Sequence, residues 1–328
     1  MKTVVYLGPR RLAIEDRPTP SLVDGEVLLR VEAVGVCGSE LHGYLGHDST
    51  RLPGMIFGHE VAGEVVASAA PDIKPGIRVT CNSAYHCGVC EFCLQGRDNH
   101  CLERKSIGKW RPGGYAEYLS LPRSMLIPIP QEMPPVHAAL VEPLATPLHG
   151  LHQAMRVMAR PIAESATLVI GAGAIGFLAS LLLRHYGVAT VDLIEPNSER
   201  AKLASRHSGC RLIDDAQPGV YELVFDAVGS SLSFKTAMKA VRRGGVIAEV
   251  GLQDQVAEID IQRLVRSGIT IVGGANYPTV ELHAAVRLIA GGLLGDTEWV
   301  ERRSLNEAPV VFDELTRGHP KPKVVLVP

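Results

Sequence analysis

Apolar and polar positions divide the chain into two regimes. Up to about residue 145, short β-type runs alternate with Gly and Pro: Val27-Leu-Leu-Arg-Val31, Val61 to Val66, and Gly76-Ile-Arg-Val79. Runs of this length and spacing predict a β-rich, barrel-like domain. From about Leu148 the pattern changes to strand–helix alternation. Strands are expected over 167–170, 190–195, 222–227, 245–250 and 270–272, with helices over 174–186, 198–207 and 234–241. That alternation predicts an α/β fold with a parallel, doubly wound sheet. A helix near 280–289 and a last strand at 323–327 follow, and the strand is expected to return to the first domain. The expected segments are therefore 1–147, 148–275 and 276–328.

Composition narrows the function classes. Of 328 residues, 46% are hydrophobic, enough for sizeable cores, and 33 basic residues face 35 acidic ones. With no basic tract, nucleic acid is not an expected partner, because phosphate binding needs a concentrated positive field. The opening Met-Lys-Thr-Val-Val-Tyr-Leu reads as a first strand, too short an apolar run for a signal peptide. The uncharged stretch Ser165 to Leu183 is long enough to raise a membrane span. Gly171, Gly173 and Gly176 divide it into strand and helix, so no membrane partner is expected. The odd cysteine count, seven, without an export signal points to a reducing, cytoplasmic setting.

Thr167 to Ile170 leads into Gly171-Ala-Gly173-Ala174-Ile175-Gly176. Gly171 permits a tight turn, Gly173 lets backbone approach a pyrophosphate, and Gly176 allows close helix–strand packing. The N–H groups opening the next helix face the phosphates. Glu195 ends the following strand about 20 residues on, where a carboxylate bonds ribose hydroxyls and repels a 2′-phosphate. NAD is the expected cofactor. Arg200, just beyond the acid, leaves NADP open.

Two metal constellations stand out. Cys87-x-x-Cys90-x-x-Cys93 with Cys101 offers four thiolates on one loop, suited to a closed tetrahedral zinc. An iron–sulfur cluster is the competing metal. The second set is dispersed: Cys37 in Cys37-Gly-Ser39-Glu-Leu-His42, His59 and Glu60 in Gly58-His-Glu-Val-Ala-Gly63, and Glu142 in Val141-Glu-Pro143. Each of these alone has an ordinary structural reading, as a buried thiol, a core histidine or a helix-start carboxylate, and for His59 and Glu142 taken singly that reading is the better one.

In this order, the two short motifs, the four-cysteine loop and the glycine turn resemble the zinc-dependent medium-chain dehydrogenase/reductase family. The likeness spans essentially the whole chain and is nearest to the sorbitol, threonine and galactitol-phosphate dehydrogenase branch. It implies a GroES-like catalytic domain beside a Rossmann-type domain, two zinc ions per chain, and NAD-linked oxidation of a secondary hydroxyl on a polyol or sugar alcohol. Cys37 and His59 would hold the catalytic zinc, with Glu60 or Glu142 completing its shell directly or through water. Ser39 would take the hydroxyl proton and pass it by way of the cofactor ribose to His42. Val228, Gly229, Val250 and Gly251 would line the nicotinamide side. Lys323 matches a position that contacts cofactor phosphates, although a solvated strand-end charge reads nearly as well.

The chain departs from the family in two places. Only Asp214 to Tyr221 separate the strand near 210–213 from the next, where the family usually has a helix. Gly274-Ala275-Asn276-Tyr277 stands where sorbitol dehydrogenases carry Phe-Arg-Tyr, which puts sorbitol itself in doubt. Tyr44, Trp110 and Asn276 are candidate pocket residues. The family's relatives imply a homodimer or homotetramer acting on a small-molecule alcohol. A threonine-type amino-alcohol dehydrogenase shares these parts. A nucleotide-binding redox sensor would need the cysteine loop, but not Ser39, His42 and an open metal site.

Overall fold

The computed structural model describes residues 1–274 and 276–328. Ala275, within the expected substrate segment, lies outside them. Two large sheets organise the chain. In the first, the order is Val300–Ser304, Lys323–Val327, Glu26–Gly35, Glu60–Ser68, Arg78–Cys81 and Leu126–Pro128, with Tyr118–Pro122 also paired to Glu26–Gly35. The last strand joins this sheet antiparallel, with Val325 opposite Gly35. Lys2–Gly8 and Arg11–Asp16 form a separate ribbon.

The second sheet has six parallel strands, in the order Arg211–Leu212, Val191–Ile194, Thr167–Ile170, Tyr221–Asp226, Val241–Glu249 and Thr270–Gly273. This is a doubly wound order. Its crevice opens where the order reverses, between the strands ending at Ile170 and Asp226. Both of these strands are buried along their whole length, as parallel strands covered on two faces require. Helix Ala174–His185 divides the uncharged Ser165–Leu183 stretch as expected. Among the described residues no helix is long and apolar enough to cross a membrane. No helix lies between Leu212 and Tyr221 among them either, so the sheet is trimmed on that face.

Several boundaries differ from the sequence reading. Helix Ser231–Ala240 begins earlier than expected because Ser230 and Ser233 form a capping box. The next strand begins at Val241 and passes through Gly244 at φ 67. Helix Val141–Met155 is continuous through the expected 147/148 boundary. It joins the two layers. Its Val141, Leu144, Leu148 and Leu151 share one apolar cluster with Ala62 and Ile127 of the first sheet and Phe225 and Ala248 of the second.

Candidate active site

Cys37 follows strand Glu26–Gly35 and caps the short helix Gly38–Tyr44. Gly58, at φ 99, turns the chain so that His59 and Glu60 enter the neighbouring strand beside it. The ligand atoms of Cys37, His59 and Glu60 all lie within 4.8 Å of one another. A thiolate, an imidazole and a carboxylate at this separation fit a zinc ion with a position left open.

The residue that orients this cluster was missed in the sequence. Glu40 is fully buried. Its Oε1 accepts hydrogen bonds from the Gly58 N–H at 2.7 Å and pairs with His59 Nδ1 at 2.8 Å. Its Oε2 accepts from the Cys37 N–H at 3.1 Å and from the Tyr115 hydroxyl. Burial raises the Glu40 carboxyl, but His59, Arg51 and Tyr115 outweigh it and hold the pKa at about 2. Bonding at Nδ1 leaves His59 Nε2 for a metal, the usual carboxylate–histidine–metal arrangement. The available signal was Glu40's place inside the Cys-Gly-Ser-Glu-Leu-His motif.

Glu60 and Lys323 form an ion pair with both side chains 1% exposed, and Lys323 Nζ also donates to the Val36 carbonyl at 2.9 Å. Lys323 is thus a buried, paired charge and not a solvated strand-end one, with its ammonium held by Glu60 and the Val36 carbonyl. Of the two glutamates, Glu142 is buried but stands outside the group whose ligand atoms converge, and its Oε1 accepts a hydrogen bond from the Tyr277 hydroxyl. Tyr277 hydroxyl in turn lies 2.7 Å from Ser83 Oγ.

Ser39 and His42 stand three residues apart on one helix and so share a face. Ser39 Oγ is 3.4 Å from Cys37 Sγ, and the His42 ring lies edge-on to exposed His47. The pocket candidates fare differently. Tyr44 is core: it is 4% exposed, packs edge-on to Phe312 and donates to the Arg10 carbonyl. Trp110 is 47% exposed, tilted over Tyr85 and flanked by the cations of Lys105 and Arg111. Asn276 is exposed in the left-handed region, at φ 49.

The four-cysteine loop brings its sulfurs together. Cys87–Cys93, Cys90–Cys93 and Cys87–Cys101 Sγ separations are 3.9, 3.5 and 3.6 Å. Tetrahedral coordination at the usual zinc–sulfur distance places sulfurs about 3.8 Å apart. Backbone N–H groups of Cys90 and Cys87 donate to Cys87 and Cys101 sulfurs, which favours thiolates. The donors fit zinc.

At the dinucleotide turn, Gly171 adopts φ 91, and a Cβ on Gly176 would fall 1.9 Å from the Gly171 carbonyl oxygen. A Cβ on Gly173 would meet nothing within 4 Å. Gly173 is also the N-cap of helix Ala174–His185 and has no side-chain cap, so the N–H groups of the first turn, from Ala174 and Ile175 on, face open space suited to phosphate. Glu195 accepts from the Ala172 N–H at 2.8 Å and the Asn197 N–H at 2.9 Å. Arg200 lies 3.6 Å from Glu195 and donates to the His319 carbonyl at 2.6 Å. The Asp226 carbonyl accepts from the Val250 and Gly251 N–H groups, and Asp226 Oδ1 accepts from those of Val228 and Gly229. The two loops so joined close the carboxyl end of the sheet.

Comparison with known proteins gives the family and the fold. Residues 23–131 match the family model described as Alcohol dehydrogenase GroES-like domain, and residues 174–291 that described as Zinc-binding dehydrogenase. A sorbitol dehydrogenase of Bacillus subtilis is 30% identical over 274 residues, covering 78% of this chain and 76% of the relative. A zinc-binding dehydrogenase from Sinorhizobium meliloti bound to NADP superposes with a TM-score of 0.89 at 31% identity, covering 100% and 99% of the two chains. Galactitol-1-phosphate dehydrogenase from Escherichia coli superposes at 0.90 with 26% identity, covering 100% of both.

Proposed function

Since the chain belongs to the zinc-binding, NAD(P)-dependent alcohol dehydrogenases, we infer that it oxidises a secondary hydroxyl of a polyol or sugar alcohol, free or phosphorylated, to a ketone. The observation that carries this reading is the convergence of Cys37, His59 and Glu60 within 4.8 Å, in a chain that also has the glycine turn. When bound, zinc supplies Lewis acidity to a substrate hydroxyl, and the nicotinamide accepts hydride.

The chain's own residues do the rest. Glu40 fixes the ring of His59 through Nδ1. Ser39 Oγ, beside Cys37, takes the hydroxyl proton. His42, on the same helix face and against exposed His47, delivers it towards solvent. Glu195 occupies the ribose end, and its negative charge disfavours a 2′-phosphate. Because Arg200 is engaged with His319 and Glu195, NAD is the preferred cofactor. The polyol class is supported by the likeness to sorbitol and galactitol-1-phosphate dehydrogenases.

The working form is a homodimer. Leu252, Val256, Ile261 and Val265 are 87%, 81%, 57% and 71% exposed, and strand Thr270–Gly273, which follows the last two in sequence, has among the described residues a neighbour on one side only. An open edge beside apolar side chains is what self-association covers. Seven free thiols and thiolate metal loops suit a reducing, cytoplasmic setting.

A spectrophotometric NAD-reduction screen over polyols, sugar-alcohol phosphates, threonine and simple secondary alcohols tests the reading, with a Cys37→Ser control. Turnover of a polyol or its phosphate that Cys37→Ser abolishes is the expected result. Turnover of threonine alone overturns the substrate class, and undiminished turnover by Cys37→Ser overturns the site.

A further inference from the structure

The four-cysteine loop is tied to the reacting side of the molecule by a chain of hydrogen bonds. Asp98 opens the 3-10 turn Asp98–His100, between Cys93 and Cys101. Its carboxylate leaves the loop and reaches helix Thr279–Ala290. The N-cap of that helix is Pro278, which has no side-chain acceptor to offer. Asp98 takes the vacant role, accepting the Thr279 N–H at 2.9 Å on Oδ1 and 3.3 Å on Oδ2, and the Thr279 hydroxyl proton on Oδ2. A carboxylate here satisfies an orphan donor and meets the positive end of the helix dipole. Asn82 Nδ2 donates to the same Thr279 Oγ1 at 3.0 Å, so Thr279 is held from two sides. His86, next to Cys87, has its Nδ1 3.9 Å from Asp98.

Two residues before Thr279 stands Tyr277, 4% exposed, whose hydroxyl donates to Glu142 and lies against Ser83. Glu142 stands in the first turn of helix Val141–Met155, which packs against strand Glu60–Ser68. A fixed Thr279 therefore fixes Tyr277, and Tyr277 fixes Glu142.

We propose that Asp98 is a positioning residue for the reaction: it caps the Thr279 helix from within the four-cysteine loop and so sets Tyr277 and Glu142 beside the Cys37–His59–Glu60 cluster. The loop's metal would then govern the shape of the reacting site as well as its own stability. Where the thiolates are gathered, Asp98 is held at the helix end. Where they spread, the cap is lost and Glu142 loses its brace. This rests on the reading of Cys37, His59 and Glu60 as the catalytic metal site.

The test uses the full-length, zinc-loaded protein and the variants Asp98→Ala, Asp98→Asn, Tyr277→Phe and Asp98→Ala/Tyr277→Phe. Four quantities are read: zinc per chain, NAD affinity, kcat and KM for the substrate found in the screen, and the visible spectrum with cobalt at the catalytic site. Asp98→Ala is expected to keep both zinc ions and its NAD affinity, lose about tenfold in kcat/KM and shift the cobalt spectrum, as orienting partners of a metal site do. Asp98→Asn keeps an oxygen acceptor for the Thr279 N–H and recovers most of the loss. The double variant falls no further than the weaker single variant, since both act on one path.

Additive losses in the double variant, or an Asp98→Ala protein with unchanged spectrum and kcat/KM, overturn the inference. If Asp98→Ala sheds the loop zinc, Thr279→Pro decides, because proline at the first helical position removes both the N–H and the hydroxyl that bond Asp98 and leaves the loop sequence intact. A several-fold loss with both zinc ions retained supports the tie, and wild-type behaviour refutes it. Cys37→Ser separates the two readings: activity that survives it defeats the site assignment, whereas a dead Cys37→Ser with a normal Thr279→Pro defeats only the role of Asp98.

Discussion

Glu60 and Lys323 meet as a buried ion pair on either side of Gly35, the residue whose missing side chain makes room for them. In the sheet, Gly35 is opposite Glu60 on one neighbouring strand and Val325 on the other. A Cβ on Gly35 would fall 1.8 Å from Glu60 Oε2 and 2.9 Å from Lys323 Cε. The base of the metal cluster therefore depends on three residues from the two ends of the chain.

Removing one partner leaves the other charge buried alone, which costs about 3–5 kcal/mol. Lys323→Ala is expected to lower stability by that order in urea unfolding. Gly35→Ala should also be destabilised, with zinc at the Cys37 site falling below one per chain in metal analysis. Wild-type unfolding midpoints in both variants would contradict the pair's structural role.

Glu40→Gln keeps the shape of the side chain but removes the charge that faces His59, while Oε1 can still accept one hydrogen bond. Loss of an orienting partner of this kind costs about 10–100-fold in metal affinity or activity. Metal titration against a chelator, followed by kcat/KM on the reconstituted protein, measures it. The fold should survive, because the remaining carbonyl oxygen still accepts from the Gly58 N–H and the new amide N–H can donate to the Tyr115 oxygen.

The glycines of the dinucleotide turn separate binding from folding. Gly173→Val adds bulk only to open space, so its melting temperature is expected to match wild type while NAD affinity drops by about tenfold or more. Gly176→Val collides with the Gly171 carbonyl and should lower the melting temperature itself. Thermal melts with and without NAD distinguish the two.

Glu281 gives the chain an acid limit. Burial raises its carboxyl, but hydrogen bonds and charge from His149 and His152 outweigh that and bring it to about 2 from 4.5; His152 Nδ1 lies 2.8 Å away. A carboxyl depressed in the folded state contributes stability that is present above pH 4.5 and lost as pH falls towards 2. Melting temperatures followed over that window should fall more steeply for wild type than for Glu281→Gln. Parallel curves would remove Glu281 from the explanation.

Glu249 acts in the opposite direction. Burial first, and the neighbouring charge of Asp226 second, push it up to about 8, and among the described residues both its oxygens are buried without a hydrogen-bond partner. A carboxyl raised in the folded state binds a proton on folding, so its contribution weakens as pH rises from 4.5 to 8. Glu249→Gln is expected to gain about 2–4 °C in melting temperature at pH 9 and little at pH 5. An equal gain at both values would show that charge is not the cause.

Legibility in the sequence followed how local each determinant is. The strand, glycine turn and helix from Thr167 to His185 could be read because the buried run, the three glycines and the helix they open follow one another within one short stretch. The same holds for the four cysteines, whose sulfurs belong to one loop. Helix Val141–Met155 was not legible as a unit, since it is buried along most of its length, Glu142 and His149 included, and packs in one cluster with residues of both sheets. Glu40 was passed over between Ser39 and His42, because its partners Gly58, His59 and Tyr115 come from other elements. Tyr44 looked like a pocket wall, but its surroundings, Phe312 and the Arg10 carbonyl, are distant in sequence.

The sequence by itself determined the period of each element, the glycines that a phosphate turn requires and the ligand types offered to metal, since steric freedom and donor chemistry are properties of single residues and near neighbours. Only the tertiary structure decided which carboxylate joins Cys37 and His59, where Lys323 spends its charge and what caps the helix at Thr279. Those outcomes depend on strands and loops brought together from opposite ends of the chain, and no local pattern encodes which buried charge will find which partner.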